Sequence, residues 1–169
     1  MKPVGTLPLA LIGALSIGFG ATVSEFFASR GAAVPLAGWL SGLVLLVLAV
    51  VLLVLGLPLR RYLQECEERA THPTTAPRRY SLDMPTAYRT IQLARAAEYT
   101  GTLCGGMFLG QTVYLIGSGS GDLLGAIVPT VFAGLSGVAL TVVGLVVERW
   151  GTLPPQDGED ESDGETSRA

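Results

Sequence analysis

Four windows of this chain are apolar over the length a helix needs to cross a bilayer, and that pattern leaves few folds open. A helix needs roughly 20 mostly apolar residues to span a hydrocarbon core about 30 Å thick. The windows fall at residues 7–27, 36–57, 97–116 and 123–147, and the second is an almost unbroken run of leucine and valine. Charge is 15% of the 169 residues, where a soluble domain carries about a quarter. It is gathered at residues 60–95, at Glu148–Arg149 and in the C-terminal segment. The expected fold is all-α: an integral-membrane four-helix bundle, antiparallel, formed by residues 1–150 and followed by an acidic tail over 151–169.

The first window reads as a span and not as a cleaved signal peptide. Its positive flank is one lysine, Lys2, and its apolar run exceeds the usual length of about 7–15 residues. Between the second and third windows, residues 59–90 carry Arg60, Arg61, Arg69, Arg78, Arg79 and Arg89. Cytoplasmic loops hold the excess of basic residues, which places this segment inside together with Lys2, Arg149 and both termini. Only Arg30 is left outside. Arginine occurs ten times, lysine once and asparagine never. Arginine codons are GC-rich and those of lysine and asparagine A-rich, so this usage points to a GC-rich bacterial genome and hence a plasma membrane.

Prolines at 73 and 77 break the chain after His72. Before them, residues 60–70 extend the second helix into the cytoplasm. After them, Asp83 is placed to cap a new helix whose first turn tolerates Pro85. A helix from 84 to 116 is about 50 Å long at 1.5 Å per residue, so its first turns are expected in the cytoplasm or interface. The run from Gly117 to Asp122 reads as a hairpin loop. The tail, with Asp157, Glu159, Asp160, Glu161, Asp163 and Glu165, has the composition of a disordered segment.

Small residues recur one helical turn apart at Gly38 and Gly42, at Ala97, Gly101 and Gly105, at Gly106 and Gly110, and at Ala133 and Gly137. In lipid, small faces let backbones approach closely, and packing replaces the hydrophobic drive between helices. Contacts within the bundle are the expected use, with homodimerisation the alternative. Ionisable residues in or near a span are functional candidates by default. Glu25 is expected to reach headgroup water or Arg30. Arg95 and Glu98 lie three apart on one helix face, a spacing that permits pairing. An antiparallel hairpin of the third and fourth helices sets them at the depth of Glu148 and Arg149, and Arg95 is expected to approach Glu148. The alternative is that all four snorkel separately into the headgroups. Trp39, Trp150, Tyr62, Tyr80 and Tyr88 sit at span ends, as interfacial anchors do.

No catalytic constellation emerges. Gly134-Leu135-Ser136-Gly137 has the short pattern of an intramembrane serine protease, but that chemistry needs a histidine base within reach, and the one histidine, His72, lies in the polar loop. The Gly-Ser run at 117–121 lacks the lysine of a phosphate loop. Cys66 and Cys104, with His72, are too few for a structural zinc site without carboxylates. No metal or cofactor is implied, and nothing points to nucleic acid.

Two stretches carry a family resemblance: Ser81-Leu82-Asp83-Met84-Pro85-Thr86-Ala87-Tyr88-Arg89 leading into Leu93-Ala94-Arg95-Ala96, and Val147-Glu148-Arg149-Trp150-Gly151-Thr152-Leu153-Pro154-Pro155. With Gly5-Thr6-Leu7 and the four-span layout, they resemble the domain-of-unknown-function family numbered 3180, small four-helix membrane proteins of actinobacteria. The chain departs from that pattern where Met84 separates Asp83 from Pro85, and where Trp150–Gly151 stands in place of a cysteine. The resemblance implies a four-span membrane fold, at most a link to folate biosynthesis through neighbouring genes, and interest in Asp83, Arg95, Glu148 and Arg149. It implies no activity. The expected function is that of a non-enzymatic accessory or interaction partner in a membrane assembly, with a small transporter or channel subunit as the alternative. The expected partners are the lipid bilayer and a membrane protein or a second copy of the chain. Toward the outer half, Gln111, Thr112, Tyr114 and Glu25 are the polar groups a transport path would have to use.

Overall fold

The computed structural model describes residues 6–34, 38–71, 84–119 and 122–151. They form α1 (Thr6–Ser29), α2 (Trp39–Thr71), α3 (Met84–Ser118) and α4 (Val128–Gly151), with a π-helical turn at Leu123–Ile127 leading into α4. The α2 helix runs on past its apolar window to Thr71, and α3 starts at Met84. The proposed cap Asp83, the segment around His72 and the acidic tail lie outside the described residues. So do Tyr80 and the side chain of Tyr62.

Two helix ends and one helix start have a local cause. Gly31 closes α1 with φ +66°, and Gly119 closes α3 with φ +62°; both are left-handed conformations that glycine adopts without a Cβ penalty. At the start of the last helix, Asp122 Oδ2 accepts a hydrogen bond from the Gly125 N–H at 2.9 Å. Its carbonyl accepts from Ala126 and Ile127, so one aspartate satisfies three donors of the first turn.

Among the described residues, three helices are long and apolar enough to cross a membrane: Leu7–Ser29, Trp39–Arg61 and Leu124–Gly151. The four windows expected from sequence thus reduce to three on apolarity alone. The exception is α3, whose span is diluted by Gly101, Gly105, Gly106, Gly110, Gln111 and threonines. Its place among the others explains that composition. α3 packs against α1 on one side and α4 on the other, with a smaller contact to α2; α4 packs also against α2, and among the described residues the α1 backbone approaches neither α2 nor α4. A helix with neighbours on two sides needs small residues on two faces.

The directions of these pairs follow from their contacts. Along the α3–α4 pair the numbering rises in one helix as it falls in the other, from Leu109 on Gly134 to Glu98 on Gly144. Along α1–α3 both rise together, from Gly13 beside Thr102 to Ile17 beside Gly110. Along α2–α4 both again rise together, from Gly42 beside Phe132 to Gly56 beside Val147.

The α2 helix, which reads in sequence as a plain apolar anchor, has a defined seam. Gly42, Leu45, Ala49, Leu52, Gly56 and Leu59 are buried, while the leucines and valines between them are exposed. Their alternating spacing of three and four is that of a helix-packing stripe. Leu45 and Ala49 pack with Leu140, and Leu52 packs with Ala94 and Val147. Trp39 meets Phe132 at one end, with ring centroids 5.5 Å apart. At the other end the Arg60 guanidinium lies over Trp150, 5.1 Å from the ring centre.

Candidate functional site

The α3–α4 seam is built from glycines facing glycines. A Cβ on Gly137 would stand 2.5 Å from the Gly105 Cα, and one on Gly101 would stand 2.7 Å from the Gly137 carbonyl oxygen. No side chain fits there, so the two backbones are in van der Waals contact. Close approach brings polar groups into range as well. Thr102 and Thr141 hydroxyls are 3.3 Å apart. Thr102 donates to the Glu98 carbonyl at 2.7 Å, and Thr141 donates to the Gly137 carbonyl at 3.1 Å.

The small residues expected to pack divide between two partners. Gly101 and Gly105 lie on α4, whereas Gly106 and Gly110 lie on the α1 backbone at Gly13 and Ile17. Ala97 is half-buried against the cluster of Leu52, Ala94 and Val147. Gly42 meets Phe132 and Ala133. Gly38 is a correction: it precedes the first residue of α2, is exposed, and has nothing within 4 Å of where a Cβ would be. Gly38 and Gly42 are four residues apart in sequence, but α2 starts at Trp39 and holds Gly42 alone of the two. Gly20, Gly56, Gly134 and Gly144 also lie at close contacts and escaped the sequence reading, since their repeat is seven residues or irregular.

One end of the seam holds the charges. The Arg95 Nε donates to Glu148 Oε1 at 2.8 Å; the Arg95 side chain is 26% exposed and that of Glu148 2%. Glu98 comes next on α3. It is fully buried, and neither carboxylate oxygen has a hydrogen-bond partner among the described residues. Its side chain passes over Gly144, where a Cβ would stand 2.7 Å from the Glu98 Cγ. Gly144 therefore makes the space that Glu98 fills, and Glu148, one turn further along α4, faces it. The helix spacing that permits an Arg95–Glu98 pair is thus used differently: Arg95 reaches across to α4. Arg149 is exposed.

The outer polar candidates are dispersed. Gln111 and Thr112 are buried, and Thr112 donates to the Phe108 carbonyl at 3.0 Å. Arg30 lies over the Phe26 ring, 4.1 Å from its centre, and no ion pair joins it to exposed Glu25 among the described residues. Ser136 donates to the Phe132 carbonyl at 2.8 Å, as a helix-packing serine does. Cys104 is a free thiol, half-buried.

Long apolar helices joined by glycine seams, with ionisable side chains buried between them, define a helical membrane protein. The chain belongs to the family described as "Protein of unknown function (DUF3180)", whose model matches residues 9–155. No curated protein and no solved structure matches it.

Proposed function

We propose that the chain is a four-pass protein of the bacterial plasma membrane, with both termini in the cytoplasm, and that it acts as a non-enzymatic accessory subunit of a larger membrane assembly. In this reading all four helices cross together as one bundle, α1 and α3 outward, α2 and α4 inward. The first turns of α3 project into the cytoplasm.

The observation that carries the accessory reading is the single attachment of α1. Among the described residues its backbone approaches that of α3 and of no other helix, which leaves a groove along α3 on each side of it. One groove is lined by Ile12, Phe19, Cys104 and Met107, the other by Ala10, Thr102, Leu109 and Val142. Both linings are almost wholly apolar. In lipid, helix association rests on close packing, and a transmembrane helix of another subunit would complete the neighbours that α1 lacks.

Mild-detergent purification of the tagged full chain, with the mass of the complex measured, tests this. A stable complex with a different membrane protein is expected. A lone monomer contradicts it. The second reading, a small transporter or channel subunit, draws on burial of Glu98 and Gln111 between helices. A homo-oligomer with a water-filled axis would favour that reading instead.

A further inference from the structure

We propose that Glu98 is a proton-binding site, a carboxylic acid held between α3 and α4 that exchanges its proton with the cytoplasmic face. The buried acid rests on the α3–α4 pair alone, and the side it exchanges with rests on the proposed topology.

Three side chains meet at this end of the seam: two carboxyl groups and one guanidinium. Arg95 is committed to Glu148 through Nε. Glu98 is fully buried, with both oxygens unpartnered among the described residues. An ionised carboxylate has acceptors only, and the Glu148 carboxylate that faces it already accepts from Arg95. Two acceptors join only through a proton. Leaving a buried carboxylate charged and unpaired is among the most unfavourable arrangements a protein interior can hold.

Among the described residues, Arg95 is the cation that acts on the Glu98 carboxyl. On α2, Leu52 packs against Ala94 and Val147 beside the site, and Arg60 lies over Trp150. On α1, the ionisable residues among those described are Glu25 and Arg30, near the far end of that helix. On α4, Arg149 is exposed, and on α3 itself Tyr99 is exposed. A metal ion is disfavoured too, since no group of three or more ligating side chains gathers among the described residues.

The chemistry is one proton added to a carboxylate oxygen of Glu98, taken from water at the cytoplasmic end, and returned there on release. Release has a structural consequence. Once ionised, Glu98 competes with Glu148 for Arg95, which lies three residues before it on the same helix face. The proton on Glu98 thus keeps Arg95 on α4.

Infrared spectroscopy of the full chain in lipid nanodiscs tests the proposal. At neutral pH the carbonyl stretch of a buried carboxylic acid is expected, lost in Glu98→Gln and kept in Glu25→Gln. Glu148→Gln should also lose it, because Arg95 is then free for Glu98. Absence of the band from the unaltered chain, or its persistence in a folded Glu98→Gln, overturns the proposal. A second measurement needs no substitution. Dicyclohexylcarbodiimide attacks protonated carboxyls in apolar surroundings, and mass spectrometry should place its adduct on Glu98, declining as pH rises. No adduct on Glu98 at any pH overturns the assignment.

Discussion

Arg95 and Glu148 are 53 residues apart in sequence and share a hydrogen bond of 2.8 Å, the guanidinium partly exposed and the carboxylate buried. Removing the cation strands the anion. Arg95→Met should therefore destabilise the chain by about 3 kcal/mol or more, since breaking a buried pair leaves an uncompensated charge. The exchange Arg95→Glu with Glu148→Arg should recover a substantial part. Unfolding in detergent, read as a double-mutant cycle, checks this. Losses that simply add would show that the two do not couple.

The glycine contacts predict a graded series. Gly137→Val pushes a side chain onto the Gly105 backbone and should cost about 1–3 kcal/mol or separate α3 from α4. Gly110→Val meets the Ile17 carbonyl and should loosen α1 while leaving α4 in place. Gly38→Ala has open space and should change stability by no more than about 0.5 kcal/mol. Thermal unfolding in one detergent ranks the three, and a Gly38→Ala loss as large as that of Gly137→Val would contradict the packing described.

Much of this was legible in the sequence, and the failures have physical causes. The number of helices, the α2 extension and the start of α3 followed from apolar length and from the prolines. The Arg95–Glu148 approach followed from counting turns along a hairpin. The partner of each glycine pair did not. Gly101 and Gly106 are five residues apart, about 140° round a helix, so the two pairs face different neighbours, and sequence spacing alone does not say which. The burial of Glu98 was hidden for a related reason. It depends on Gly144 being small on the opposite helix, a relation between residues with no local signature.

The Arg60–Trp150 contact ties α2 to α4 at the charged end. Such a pair contributes about 0.5–1 kcal/mol where partly exposed. Trp150→Leu should lose that amount and the ring's packing on Leu52, Ala94 and Val147 besides, and Arg60→Gln should add little on top of it. Full additivity of the two in a double-mutant cycle would show that the ring and the guanidinium act separately.

The most direct test concerns α3, the helix whose own apolarity does not announce a span. Single cysteines at Ala33, Thr75, Ser118 and Thr166, in a background with Cys66→Ser and Cys104→Ser, are labelled in intact cells with a membrane-impermeant thiol reagent. The four-pass topology predicts labelling at positions 33 and 118 from outside, and at 75 and 166 only after the membrane is opened. Labelling of 75 and 118 from the same side would mean that α3 does not cross, and would contradict the four-pass topology.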